Sequence, residues 1–115
     1  MEMERRRTQR VLVDANLSIR PITEKDKGGE FIPVHAENIS SGGIAFKTDK
    51  ELPMNSFYDM KLEVSGCDKI ATVIEIVRIA AKHTDGTVYG CRFVGLGKEE
   101  QFRIDVFCMV KKNIS

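Results

Sequence analysis

Four arginines crowd the first ten residues, and two of them, Arg6 and Arg10, stand four positions apart in the run Arg6-Arg7-Thr8-Gln9-Arg10. A guanidinium is planar, permanently charged and able to donate in pairs, so it can clamp a phosphate, read the O6 and N7 edge of guanine, or stack on a purine face. At this spacing both side chains can converge on one ligand whether the segment turns or runs extended. Arg5 and Arg7 have no such partner, because Gln9 and Val11 stand four residues after them. With two glutamates in the same ten residues, the surplus is two positive charges, a candidate anion site. Taken alone, residues 1–10 read as a flexible, solvated basic arm.

A second group follows in Asn38-Ile39-Ser40-Ser41-Gly42-Gly43. The Asn38 amide both donates and accepts hydrogen bonds and can read a base edge, while Ser40 offers a hydroxyl to the same base or to a phosphate. Gly42 and Gly43 let the backbone adopt positive φ and approach a ligand with no Cβ in the way. By itself, the pattern is also an ordinary turn between strands.

The elements that must position these groups are mostly strands. From Val11 to Pro21 apolar residues fall on the odd positions, with Asp14, Asn16, Ser18 and Arg20 between them, which predicts one half-buried strand. A charged turn over 24–30 precedes a second strand through Phe31, Val34 and Ala36, and Ile44 to Lys47 predicts a short third. Tyr58, Met60, Leu62 and Val64 alternate with polar residues in a fourth. The β-branched run Ile70 to Ile79, a hairpin signal at Asp85-Gly86 and the segment Val88 to Val94 complete six antiparallel strands, which implies a barrel or sandwich. After Gly95-Leu96-Gly97 the period changes. Acids at Glu99 and Glu100 and bases at Lys111 and Lys112 suit the dipole of a helix over about 98–112. Its stripe of Phe102, Val106, Met109 and Val110 is expected to pack on one opening of the barrel.

Composition narrows the function. The 115 residues, 42% of them apolar, suffice for one domain with a modest core, and a net charge of +1 offers no broad field for nucleic acid or an anionic membrane. Cys67, Cys91 and Cys108 form no C-x-x-C pair and lie at no ligand spacing to His35 or His83, so a disulfide framework and a metal site are not expected. The reading is of small apolar residues in a reducing cytoplasm. No signal segment and no apolar run approaching the roughly 20 residues of a membrane span are present, so no membrane insertion is expected. Gly95-Leu96-Gly97-Lys98 lacks the spacing of a phosphate-binding loop, and neither histidine has a nucleophile and orienting acid near it in sequence. No catalysis is expected, and no cofactor.

In this order, the arginine pair, the N-x-S-x-x-G turn leading into Gly43-Ile44-Ala45-Phe46, the long strand ending near Arg78, the Tyr89-Gly90-Cys91-Arg92-Phe93-Val94 strand and the closing helix resemble the PilZ family over nearly the whole chain. The resemblance implies an all-β fold: a six-stranded antiparallel barrel over 11–115 with a C-terminal helix, preceded by the arm 1–10. It implies a receptor for the bacterial second messenger cyclic di-GMP, with no resident cofactor, and it maps the ligand-binding residues onto Arg6, Arg10, Asn38, Ser40 and Gly43. Arg5, just before the pair, is implied to favour binding of the nucleotide as an intercalated dimer. The resemblance further implies that the arm changes conformation on binding and signals to an unidentified partner controlling motility, biofilm or exopolysaccharide output.

Asn38 stands where many members carry aspartate, and a neutral amide accepts more weakly from guanine N1 and N2. Charge-assisted hydrogen bonds contribute ~1.5–3 kcal/mol each, against roughly 1–2 kcal/mol for ordering each arm residue. A micromolar dissociation constant, about −8 kcal/mol, is therefore expected. Arg78 and Arg92 read either as surface charges or as ligand contacts. Two other readings remain at this point, a small nucleic-acid-binding barrel and a PilZ-like protein adaptor that binds no nucleotide. The first requires exposed aromatics among cations, whereas Phe31, Phe46, Tyr58, Tyr89, Phe93, Phe102 and Phe107 are assigned mostly to the core.

Overall fold

A computed structural model describes residues 11–12, 15–22, 29–64 and 69–114, with the backbone alone for 11, 12, 64 and 110–114. The elements are β1 (Val11–Leu12), β2 (Ala15–Pro21), β3 (Ile32–Ile39), β4 (Gly43–Thr48), β5 (Phe57–Val64), β6 (Lys69–His83), β7 (Gly86–Val94) and α1 (Lys98–Ile114). All strand pairs are antiparallel. β2 pairs with β3 and β5, β5 with β6, β6 with β7, β7 with β4, and β4 returns to β3, so six strands close a barrel. Closure leaves the ring without a free sheet edge over its common height.

The expected period of two is what builds the interior. Leu17 and Ile19 of β2, Ile44 and Phe46 of β4, Tyr58, Met60 and Leu62 of β5, Ile70, Ile74 and Ile76 of β6, and Tyr89 and Cys91 of β7 form one buried cluster. Each such large side chain taken out of water contributes on the order of 1.5–3 kcal/mol.

Two expectations are corrected. The strand foreseen from Val11 to Pro21 does not keep one register on β3: Val11 and Leu12 oppose Ile39 and Asn38, but Asn16 opposes His35. The two registers differ by one residue, and a slip of this kind exchanges the faces of the side chains on either side of it. The helix also docks by a different stripe. Ile104 is fully buried in the core, with Phe107 and Cys108 against it, whereas Phe102 is 67% and Met109 57% exposed. Val106 is exposed as well. Both stripes have helical spacing, so the sequence alone does not choose between them. The choice is made by polar contacts on the Ile104 side, where Gln101 Nε2 donates to the Ser41 carbonyl at 2.9 Å and Cys108 Sγ lies 3.9 Å from the Ile39 carbonyl.

The helix assignment is directly testable by urea unfolding. Ile104→Ala is expected to lower the unfolding free energy by about 2–5 kcal/mol, as for a large core side chain truncated without collapse. Phe102→Ser is expected to change it by no more than about 0.5 kcal/mol. The reverse order would mean that α1 packs through the Phe102 stripe.

Candidate functional site

Asn38, the first residue of the turn motif, owes its orientation to a bulge. His35 and Ala36 oppose Lys47 and Phe46, but Asn38 and Ile39 oppose Ala45 and Ile44, so Glu37 is an extra residue in β3. Ala36 and Ile39 are both buried in the core, and the bulge between them sets the half-buried Asn38 on the outer face of the barrel. Without the extra residue, position 38 would share the inward face with Ala36.

The same device recurs on β6. Ile76 opposes Cys91 while Arg78 opposes Gly90, which makes Val77 an extra residue and moves Arg78 to the outer face after the inward Ile74 and Ile76. One row therefore crosses four strands on the outside: Asn38, Ala45, Gly90 and Arg78. The adjacent row holds Gly43, Arg92 and Glu75. Between Asn38 and the arginines this face carries only Gly43, Ala45 and Gly90, a strip of backbone with a single methyl whose three residues are themselves buried, Ala45 to 1% exposure.

The turn itself is tightly held. The Ser40 N–H donates to the Gly43 carbonyl at 2.9 Å, and its hydroxyl lies 3.5 Å from the same oxygen. Ser40 is 8% exposed, so its hydroxyl faces the turn rather than open water. Gly42 and Gly43 do not use the positive φ open to glycine; among the described glycines that conformation occurs at Gly86 and Gly95. Gly43 is required for a different reason. A Cβ there would stand 2.0 Å from the Cys91 carbonyl oxygen, so the missing side chain lets β4 seat against β7. At Gly42 a Cβ would meet nothing within 4 Å.

Arg5, Arg6 and Arg10 lie outside the described residues. Their attachment point does not: Val11 opposes Ile39 in an antiparallel pair, next to the Ser40–Gly43 turn. α1 supports that turn through Gln101, whose amide also donates to Asp105 at 3.0 Å. The described part of the site thus consists of Asn38, Ser40 and Gly43 on one turn and its flanking strands.

The electrostatics of the outer wall are uneven. Arg92 Nε donates to Glu75 at 2.6 Å, Arg20 pairs with Asp59 at 3.0 Å and Arg103 with Glu99 at 3.2 Å. Among the described residues Arg78 has no carboxylate within ion-pair reach. Burial pushes the Cys91 thiol up to about 12, with the nearby Arg78 charge opposing that shift. Cys91 is accordingly an inert packing group rather than a nucleophile. Arg78 and Arg92 are alike in sequence; the pairing of Arg92 with Glu75, its direct cross-strand partner on β6, separates them.

Two grooves open elsewhere, one between Pro33, His35, Lys47 and Asp85 and one between Leu52, Ile79, Lys82 and Tyr89. Neither contains a residue of the turn motif. In the first, Lys47 Nζ pairs with Asp85 at 2.8 Å, and that contact holds the Asp85 carboxyl below its usual range. Phe31 carries the Arg20 guanidinium 4.5 Å and the Lys61 ammonium 4.2 Å from its ring centre, so the one described aromatic set among cations is engaged by the protein's own side chains.

With this geometry in hand, comparison with known proteins gives a consistent result. The PilZ domain family matches residues 4–110. No curated protein matches the sequence. Among solved structures, the Bacillus subtilis inhibitor of motility MotI/DgrA superposes with a TM-score of 0.80 at 16% identity, over 96% of this chain and 52% of that one. The K. pneumonia MrkH–c-di-GMP complex gives 0.71 at 17%, over 91% and 50%. The PilZ domain with c-di-GMP of YcgR from Escherichia coli gives 0.69 at 13%, over 96% and 93%. At these identities the likeness is one of fold. The chain spans about half the length of MrkH and MotI.

The turn geometry predicts a contrast between its two glycines. Gly43→Ala is expected to lower the thermal midpoint through a backbone clash of about 1–3 kcal/mol or more. Gly42→Ala, which adds a methyl in open space, is expected to leave it nearly unchanged. Equal midpoints for both variants would contradict the close β4–β7 approach.

Proposed function

The chain belongs to the PilZ domain family, and on that premise we propose that it is a receptor for cyclic di-GMP whose arginine arm closes over the nucleotide against the outer wall of β3, β4 and β7. The observation that carries this reading is the pairing of Val11 with Ile39. It sets the residue that follows Arg10 directly beside the Asn38–Gly43 turn. A Cα lies 3.8 Å from its neighbour and an extended chain advances ~3.3–3.6 Å per residue. Arg10 and Arg6 are thus within covalent reach of the same wall, with their long side chains adding to that reach.

In this reading Asn38 addresses a guanine edge, and the arginines supply bidentate contacts to phosphate and to O6 and N7. The turn contributes backbone groups, and Gly42 and Gly43 present no Cβ to the ligand. Arg5 favours a second, intercalated nucleotide. No helix among the described residues is long and apolar enough to cross a membrane. Ordering of the arm changes the surface beside the barrel, and a partner protein reads that change to adjust motility or attachment. The nucleic-acid alternative finds less support, because Phe31 is already occupied by Arg20 and Lys61.

Isothermal calorimetry tests the proposal. Wild-type protein is expected to bind cyclic di-GMP with a micromolar dissociation constant, and Arg6→Ala, Arg10→Ala and Asn38→Ala each to weaken it by about tenfold or more, the loss of one charge-assisted or base-reading contact. Lys61→Ala, on the far side of the barrel, serves as the control. Unaltered affinity in both arginine variants would rule out the clamp.

A further inference from the structure

Resting on the receptor reading above, we infer that Arg78 is a further ligand-binding residue, whose guanidinium is laid across Gly90 to form a flat cationic shelf for a guanine base of the nucleotide. β6 stands three strands from β3 in a ring of six, so a side chain leaving β6 radially would point away from Asn38. Arg78 does not leave radially. The three atoms nearest to where a Gly90 Cβ would stand are Arg78 Cγ at 3.0 Å, Nε at 3.0 Å and Cζ at 3.1 Å. The side chain therefore folds over β7, and its head group comes to the strip of Ala45 and Gly90. From Gly90 to Asn38 is two strand spacings, roughly 10 Å. Asn38 bounds the strip on one side and the Arg78 guanidinium on the other.

Three further observations favour a ligand role over a surface charge. Arg92, its neighbour on the same wall, is neutralised by Glu75, whereas Arg78 has no carboxylate partner among the described residues. Arg78 is solvent-exposed, so its outward face is available. Its position on that face depends on the Val77 bulge, an irregularity that a central strand would otherwise lack. A planar cation stacks on a purine face and can donate to a phosphodiester from its edge, which an ammonium does only as a point charge.

Gly90 is then part of the same device. Any side chain at position 90 displaces Arg78, while the nearest atoms it meets belong to that mobile side chain and not to the backbone. Gly90→Ala should fold and yet lose the shelf.

The test is a double-mutant cycle by calorimetry with cyclic di-GMP, on wild type, Arg78→Ala, Gly90→Ala, the double variant and Arg78→Lys, with the thermal midpoint of each recorded. Arg78→Ala is expected to weaken binding about five- to tenfold, as for loss of one contact to a charged group. Gly90→Ala is expected to weaken it similarly, the double variant no more than either single one, and Arg78→Lys to recover little. Wild-type affinity in Arg78→Ala overturns the inference, and full recovery in Arg78→Lys overturns the shelf. Equal losses from Gly90→Ala with and without Arg78 would mean that Gly90 acts other than through Arg78 and would likewise overturn it. Wild-type protein that binds no cyclic di-GMP overturns the receptor reading itself, a result distinct from each of these.

Discussion

Two extra residues, Glu37 in β3 and Val77 in β6, decide what the outside of this barrel can do. In a closed sheet the side-chain period of two is unforgiving, since every position is committed either to the core or to water. Residues 36 and 76 are buried, so an unbroken period would send 38 and 78 inward as well. Each bulge exchanges the faces of the residues after it. Asn38 and Arg78 come out, and Ile39 goes in to the core. A bulge of this kind bends the strand and re-aims one side chain at small energetic cost, which is how a strand can carry polar chemistry without a hole in its hydrophobic interior.

The wall between those two residues is kept low. Gly43 has no Cβ because β7 lies against it, and Gly90 has none because Arg78 lies over it. The first is a demand of packing and the second of the surface. On the helical side, Gln101 binds the Ser41 carbonyl while Ile104 fills the barrel, so the turn is supported by an element anchored in the core. On the other side the amino-terminal chain enters through Val11 and Leu12 against Ile39 and Asn38. In the proposed clamp this turn is the preorganised jaw, and ordering the other on the ligand carries an entropic cost.

Much of this was legible in the sequence, and the failures have physical causes. Alternating residues such as Tyr58, Met60 and Leu62 announced their strand because each is committed to one face. The helix was legible as a helix but not in its rotation, because Phe102, Val106 and Met109 mimic a core stripe as well as Ile104, Phe107 and Cys108 do. The contacts of Gln101 with Ser41 and of Cys108 with Ile39, sixty residues or more away in the chain, distinguish them. The Asn38–Gly43 motif was visible, but the roles of its glycines were not, since a need for close strand packing and a need for positive φ look identical in sequence. Arg78 was visible as a charge; its partnership with Gly90 required the register of β6 on β7.

The central claim is that the outer wall of β3, β4 and β7 is where the nucleotide docks. Backbone amide NMR during titration with cyclic di-GMP addresses it residue by residue. The account predicts that the largest shift changes fall on Asn38, on the Ser40–Ala45 segment and on Gly90 to Arg92, while Asp59 to Glu63 of β5, across the barrel, stay unmoved. Changes concentrated on β2 and β5, or in the groove between His35 and Asp85, would contradict it.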